Sequence, residues 1–291
     1  MHAPRATAIR ARQICEADIQ AVTDLLASGF HDRSREFWSV ALARLTQRSV
    51  PAGLPKYGYI LESDGAAVGA ILLIFSTIRT GDASAIRCNV SSWFVQPAFR
   101  SYASLLVSKA FSHRNVTYLN VTPAPHTRPI VRAQGYQQYN KGVFVAAPAL
   151  QFHTDRIEVI AVAAGAPSSA QIELFEHELL LDHAEYGCVS LWCIAADRAY
   201  PFVFRLRVFR GVLPCAQLVY CRGVDDFVRC AGPVGRFLAW RGRPLVVIDS
   251  NGPIPGLLGK YFDKRMPKFF KGPDRPRLGD LAYTETAMFG V

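Results

Sequence analysis

Residues 85–106 read AIRCNVSSWFVQPAFRSYASLL. The segment Ala85–Val95 predicts a strand, which Pro97 ends. A helix is predicted over Phe99–Arg114, because its apolar residues recur at helical spacing. A strand that leads directly into a helix exposes backbone N–H groups at the positive end of the helix dipole, and Arg100 adds a cation there. This stretch therefore predicts a mixed α and β chain with a turn suited to a pyrophosphate.

The remainder of the first half alternates strands and helices in the same way. The predicted elements are the strand Ile9–Cys15, the helices Glu16–Gly29 and Arg35–Arg48, the strands Tyr57–Glu62, Val68–Phe75 and Val116–Val121, the short helix Arg128–Gln134, and a final strand or strand pair over Tyr136–Val145. The segment Ala146–Gln151 contains Pro148 and little charge. It predicts a boundary between a domain 1–148 and a domain 149–291.

The second half gives a similar order of elements. The predicted elements are the strand Asp155–Val162, a small-residue break at Gly165–Ser169, the helix Gln171–Tyr186, the strands Cys188–Ala195, Phe202–Phe209 and Pro214–Cys221, a helix over Val224–Arg241 interrupted by Gly232, Pro233 and Gly235, the strand Leu245–Asp249, a short helix near Leu257–Phe262, and strands near Lys268–Phe270 and Leu281–Thr284.

The two lists match best where residues 118–123 (YLNVTP) align with residues 246–251 (VVIDSN), at an offset near 130. This match favours a duplication, and two unrelated α/β domains with similar turns are the alternative. The predicted fold class is α/β with mixed sheets, in two domains that are each a mostly antiparallel twisted sheet flanked by helices.

Composition narrows the class of protein. The chain has 291 residues, half of them apolar, and a formal net charge of +10. This apolar content excludes disorder of the whole chain, and no apolar run reaches the roughly 18–20 residues of a membrane helix. No secretory signal follows Met1, so we expect a cytoplasmic protein. The charge allows nucleic acid, a phosphorylated cofactor or an acidic polymer as a partner.

The seven cysteines are scattered and contain no CxxC pair, which favours reduced thiols. The histidines are scattered as well, so no metal site is predicted. Cys88 has no basic neighbour in the sequence, and we interpret it as a buried structural thiol rather than a nucleophile.

Two stretches resemble the GNAT (GCN5-related) family of N-acyltransferases. Residues 95–106 (VQPAFRSYASLL) are similar to the family's acetyl-CoA motif, and residues 132–136 (RAQGY) to the step before its last strands. The resemblance implies that acetyl-CoA or another acyl-CoA is the substrate, and that the backbone of Phe94 and Val95 binds its pantetheine arm. The residues that it implies around the pyrophosphate are Arg100, Ser101, Tyr102, Ala103 and Ser104. The family's turn is rich in glycine, whereas this one is not.

The resemblance also implies direct attack of an amine or hydroxyl acceptor on the thioester. In the family, a Tyr often acts as the general acid that protonates the departing thiolate. Val131 occupies that position here, so this role cannot be assigned to it. Asn120 and His126 follow the strand that would flank the thioester, and His126 is a candidate base because histidine is the side-chain type that ordinarily exchanges protons near neutral pH. A loop histidine that caps the next helix is the alternative. Residues expected to line the acceptor cleft are Asn89, Ser91 and Thr122.

The second half differs at the matching turn, where Asp225 and Asp226 would repel a pyrophosphate. We therefore predict that this repeat has lost cofactor binding and either shapes the acceptor cleft or has a structural role. The segment Lys260–Arg277 interleaves basic and aromatic residues, a pattern that can bind nucleic acid or an acidic glycan but also suits a solvated surface with a packed core. The rival function is a non-catalytic binding protein whose basic second domain holds an anionic polymer. The sequence does not determine the acceptor or the oligomeric state.

Overall fold

The computed structural model describes residues 8–80, 83–152, 156–163, 173–196, 198–209 and 211–290. The helices are α1 Ile19–Gly29, α2 Arg35–Gln47, α3 Ala103–Ala110, α4 Arg128–Ala133, α5 Leu174–Glu185, α6 Val224–Trp240 and α7 Glu285–Met288. The strands are β1 Ile9–Gln13, β2 Gly58–Ser63, β3 Ala66–Thr80, β4 Ala83–Val95, β5 Val116–Asn120, β6 Gln137–Gln138, β7 Gly142–Ala146, β8 Glu158–Val162, β9 Val189–Ile194, β10 Ala199–Phe209, β11 Leu213–Tyr220, β12 Leu245–Ser250, β13 Gly259–Asp263 and β14 Phe269–Lys271.

The chain divides into two compact units. Unit 1 contains the described residues up to Asn120 together with Gly272–Asp274, and unit 2 contains Val121–Lys271 and the residues from Arg275 onward. These units are defined by packing within the structure. The boundary at residue 148 between two domains stays a prediction.

Unit 1 is a mixed sheet with helices packed on it. Its strands follow the order β1-β2-β3-β4-β5, in which β4 and β5 are parallel and the other neighbours are antiparallel. The helix α3 connects the parallel pair, as a crossover connection requires. Fully buried side chains such as Leu26, Leu42, Phe75 and Leu106 form the core.

Unit 2 repeats this arrangement. Its sheet follows the order β13-β7-β12-β11-β10-β9-β8, and α6 connects the parallel strands β11 and β12. The strands β8 to β11 are antiparallel neighbours, as β1 to β4 are in unit 1. Three aromatic rings, those of Phe202, Phe204 and Phe227, meet between this sheet and α6. The predicted duplication and the predicted mixed α/β class are both confirmed.

One strand of the first half is part of the second-half sheet. Gly142–Ala146 pairs antiparallel with β12 on one side and with β13 on the other. The sequence predicted this segment as the last strand of the first domain, and that assignment is corrected. Alternation of apolar residues identifies a strand, but it does not identify which sheet completes its hydrogen bonds.

Four local predictions are also corrected. The segment predicted as a short helix near Leu257–Phe262 contains the edge strand β13, and the strand predicted at Leu281–Thr284 is a turn that leads into α7. The helix α6 runs without a break through Pro233, although an interruption was predicted. The helix predicted over Phe99–Arg114 is a 3-10 turn over Pro97–Tyr102 followed by the shorter α3. The predicted break at Gly165–Ser169 lies outside the described residues.

Gly235 allows α6 to pack closely against the turn at Pro148–Leu150. A Cβ on Gly235 would lie 2.2 Å from the backbone nitrogen of Ala149, so only glycine allows the Pro148–Leu150 turn to pack against this helix.

None of the helices in the described ranges combines the length and the apolar character that crossing a bilayer needs.

Candidate functional site

The strand β4 contains a bulge near its carboxyl end. Ala70 of β3 faces Phe94 and Leu72 faces Ser91, so β4 has one residue more than β3 between these pairs. Ser92 accommodates the extra residue with a φ of +50°, in the left-handed region. A bulge of this kind bends the strand and redirects its backbone groups.

The pairing of β4 with β5 ends just before the bulge. Their parallel pairing runs from Ile86 opposite Val116 to Asn89 opposite Leu119, while β4 continues to Val95. The amide of Gln96 donates to Val68 of β3, 2.9 Å away, and successive residues of a strand point their backbone groups to opposite edges. The N–H of Val95 is therefore directed to the edge that β5 has left, where an extended ligand can pair with it.

The turn after β4 is a 3-10 helix. The amide of Phe99 donates to Gln96, and that of Ala103 donates to Arg100, so these two N–H groups are used within the turn. Four of the five residues predicted around the pyrophosphate are exposed: Arg100, Ser101, Tyr102 and Ser104. Ala103 is half-buried. An anion at the start of α3 would meet the Arg100 guanidinium, two hydroxyl-bearing serines and the remaining amides.

An aromatic wall lies beside the end of β4. The Phe94 ring packs so closely on Gly29 that a Cβ there would be 2.4 Å from it. Phe30 contacts both the Phe94 ring, at 6.3 Å between centroids, and the Trp38 ring, at 5.3 Å. The indole N–H groups of Trp38 and Trp93 are buried and make no hydrogen bond within the described part of the chain. No local pattern in the sequence indicates this wall, because α1 and α2 are distant from β4 in the chain.

The two predicted catalytic residues lie in different units. Asn120 is the half-buried last residue of β5 in unit 1. His126 is exposed in a 3-10 turn over Pro125–Thr127 in unit 2, directly before α4. The imidazole of His126 is therefore accessible to solvent.

The three residues predicted to line the acceptor cleft differ in exposure. Asn89 is 1% exposed and donates to the carbonyl of Val90, and Ser91 is 3% exposed and shares a hydrogen bond with the hydroxyl of Ser92. Thr122 is exposed and donates its hydroxyl proton to the buried carboxylate of Glu285. Glu285 was not among the predicted site residues. It is 163 positions from Thr122 in the chain, so the local sequence gives no signal for this contact.

Cys88 has the environment of a structural thiol. It is fully buried, and burial raises its pKa well above the usual value. The nearby Tyr59 hydroxyl lies 3.1 Å from Nε2 of His113, whose own pKa is lowered by desolvation. A thiol that stays protonated is a poor nucleophile, which agrees with the interpretation from the sequence.

The matching turn of unit 2 is occupied by ion pairs. Arg222, which follows β11, donates from Nε to Glu176 at 2.6 Å, and Glu176 is 4% exposed. Asp226, in the first turn of α6, pairs with Arg198 at 2.5 Å. Asp225 is also in this first turn. The charged side chains Arg222 and Asp226 of this turn thus form ion pairs with other residues of unit 2.

Solved structures share this fold at low sequence identity. The chain is similar to a GCN5-related N-acetyltransferase from Anabaena variabilis, with a TM-score of 0.60, 11% identity, and coverage of 91% of this chain and 72% of that one. It is similar to one from Kribbella flavida, with a TM-score of 0.56, 15% identity, and coverage of 91% and 71%. A protein from Pyrococcus horikoshii assigned to the acetyltransferases gives a TM-score of 0.52, 12% identity, and coverage of 97% and 96%.

No family model and no curated protein matches the sequence, so the similarity is one of structure. Both units carry the bulged strand, the parallel neighbour that parts from it and the connecting helix. The chain therefore has the fold of the GCN5-related N-acetyltransferases, and it has this fold twice.

Proposed function

We propose that the protein transfers an acetyl or other acyl group from acyl-CoA to an amine or hydroxyl acceptor, and that unit 1 binds the acyl-CoA. The observation that carries this proposal is the end of β4, where the strand parts from β5 and directs the Val95 amide to an open edge. The exposed turn with Arg100 follows at once. An extended pantetheine arm fits the edge, and a pyrophosphate fits the cationic turn.

The proposed reaction is direct attack. The acceptor nitrogen or oxygen forms a bond to the thioester carbon, and backbone amides of β4 stabilise the negative oxygen of the tetrahedral intermediate. His126 accepts the proton that the acceptor loses, and Asn120 orients the acceptor. The C–S bond then breaks, the departing thiolate takes up a proton from solvent to become the CoA thiol, and His126 releases its proton to solvent. No acyl-enzyme forms, so no nucleophilic side chain is required.

The similar structures are of N-acetyltransferases, and this supports acyl transfer in general through the shared fold. The acceptor class stays as broad as an amine or hydroxyl. We assign the second repeat no cofactor, because its turn carries Asp225 and Asp226 at the start of α6.

A second candidate is a non-catalytic binding protein that holds an anionic polymer, and the basic segment Lys260–Arg277 is the observation in its favour. The exposed cations of this segment are Lys260, Lys264, Arg265, Lys271 and Arg275. Phe269 and Phe270 are buried, and Lys268 is 1% exposed. These two aromatic residues therefore pack in the core, whereas Tyr261 and Phe262 are half-buried. The exposed groups that remain for a polymer are mainly the charges. Binding of heparin that weakens steeply with salt would favour this candidate.

Calorimetric titration with acetyl-CoA tests the main proposal. Arg100→Glu should weaken binding at least tenfold, since it places an anion beside the pyrophosphate. Arg114→Glu is the matched control, because it changes the net charge equally at another exposed arginine of unit 1 and should bind normally. Equal affinity of the Arg100→Glu variant and the wild type would remove Arg100 from the site. Wild-type protein that binds no acetyl-CoA would refute the proposal.

A further inference from the structure

Unit 2 reproduces the strand end that unit 1 leaves open. Val203 of β10 faces Tyr220 and Phe204 faces Leu218, so β11 has an extra residue at Val219, as β4 has at its bulge. The pairing of β11 with β12 ends at Gln217, although β11 continues to Tyr220. Judged by these pairs, Tyr220 corresponds to Phe94, and Cys221 corresponds to Val95.

A segment of the chain itself fills this edge of unit 2. We name the residues Arg277–Ala282 the strap. The strap runs antiparallel to the end of β11, with Asp280 opposite Tyr220. The amide of Leu281 donates to the carbonyl of Val219 at 2.7 Å, and the amide of Cys221 donates to the carbonyl of Gly279 at 2.9 Å.

Side chains hold the strap in place. The guanidinium of Arg277 donates to the carbonyl oxygens of Cys221 and Arg222, in the second case at 2.7 Å, and lies over the Tyr220 ring. Gly279 has a φ of +77°, and a Cβ at this position would be 2.7 Å from the sulfur of Cys221. Only glycine allows so close an approach in this conformation. Asp280, Leu281 and Ala282 are each at most 4% exposed, so the strap is part of the packed unit.

We propose that the strap is an internal ligand of unit 2, which occupies the backbone edge that unit 1 offers to acyl-CoA, so that each chain binds acyl-CoA at one site. The comparison of the two edges rests on the proposed function. The Cys221 amide, which corresponds to the Val95 amide, is already bonded to Gly279. A pantetheine arm would have to displace two backbone hydrogen bonds and both bonds of Arg277.

The strap is a different cause of lost binding from the acidic turn. Asp226 is paired with Arg198, so its charge is partly compensated. Occupation of the edge excludes the pantetheine arm whatever the charge of the turn. The Asp225→Asn/Asp226→Asn variant should therefore still bind one acetyl-CoA.

Hydrogen exchange measured by mass spectrometry on the full chain, with and without acetyl-CoA, tests the proposal together with the binding stoichiometry. We expect one equivalent of acetyl-CoA in the wild type and at least tenfold weaker binding in Arg100→Glu. We expect added protection over residues 93–104 and no change over residues 218–222 and 279–282. Leu281→Pro removes the donor to Val219, and it should accelerate exchange of residues 218–222 at least tenfold without changing acetyl-CoA affinity more than twofold.

Arg277→Met is the second strap variant, in case the proline variant does not fold, and exposed Arg275→Met is its control. Two equivalents bound in the wild type would overturn the single site. Unchanged exchange of residues 218–222 in both strap variants would overturn the strap. If the wild type binds no acetyl-CoA, the proposed function fails, while the exchange of the strap variants still decides whether the strap covers β11.

Discussion

Replacing Lys268 with Met tests how strongly unit 2 depends on one buried ion pair. Lys268 Nζ lies 2.6 Å from Asp249 Oδ1, and the two side chains are 1% and 3% exposed. Burial raises the pKa of Asp249, and the positive charges of Lys268 and Arg207 oppose this rise. Without Lys268 the buried carboxylate loses its hydrogen-bonded partner and keeps only the charge of Arg207, a change that costs about 3–5 kcal/mol.

The same lysine is part of a hydrogen-bond network. Its amide donates to the Asn140 side chain at 2.7 Å, and the Asn140 amide group donates to the carbonyls of Gly142 and Met266. The network joins the start of β7 to the segment before β14. Loss of the ion pair therefore acts where β7 enters the sheet of unit 2.

Thermal unfolding followed by circular dichroism measures the effect. A loss of 1 kcal/mol lowers Tm by about 2–4 °C in a domain of 150–250 residues, so Lys268→Met should lower the Tm of unit 2 by about 6–20 °C. Lys268→Met/Asp249→Leu removes both charges and should recover most of the loss. The control is Lys264→Met, at an exposed lysine. A wild-type Tm for Lys268→Met, or a double variant as unstable as the single one, would refute this reasoning.

Three further predictions concern an ion pair, a glycine with positive φ and the proposed base. Arg12 lowers the pKa of Asp18 through paired hydrogen bonds. The stabilisation from this pair is therefore fully present above about pH 4 and is lost as Asp18 is protonated on acidification. In urea denaturation, the free energy of unfolding of Arg12→Met should decline less between about pH 5 and pH 2 than that of the wild type. Gly58→Ala should cost more than about 2 kcal/mol in the same assay, because φ is +123° and the Cβ would lie 2.1 Å from the Ile71 carbonyl; a cost near zero would contradict the observed backbone. His126→Ala should lower turnover about 10²–10⁴-fold at unchanged acetyl-CoA affinity, and full activity would show that His126 is only a loop residue.

Local patterns predicted most of the elements of this chain. The strand over Ala85–Val95 and the helix over Arg35–Arg48 appear within two residues of their predicted ends, because the periodicity of apolar side chains is a local property. Segments without a clear period were predicted less well. The segment of the edge strand β13 was predicted as a helix. It is a strand because it pairs with β7, and this pairing is not visible in the local sequence.

The candidate site was predicted in its sequence-local part. The turn with Arg100 and the end of β4 are contiguous in the chain, so one stretch of residues was sufficient to locate them. The aromatic wall of Phe30 and Trp38 and the contact of Thr122 with Glu285 were missed. Each of them joins residues that are distant in the chain and whose side chains carry no mark of the partner.

The sequence by itself determined the class of fold, the duplication and the turn after β4, because these depend on the order and period of residues along the chain. Only the tertiary structure decided that β7 pairs in the second-half sheet and that Arg277–Ala282 covers the end of β11. The physical reason is that backbone N–H and C=O groups are the same in every residue. A strand edge therefore accepts whichever segment the folded chain brings beside it.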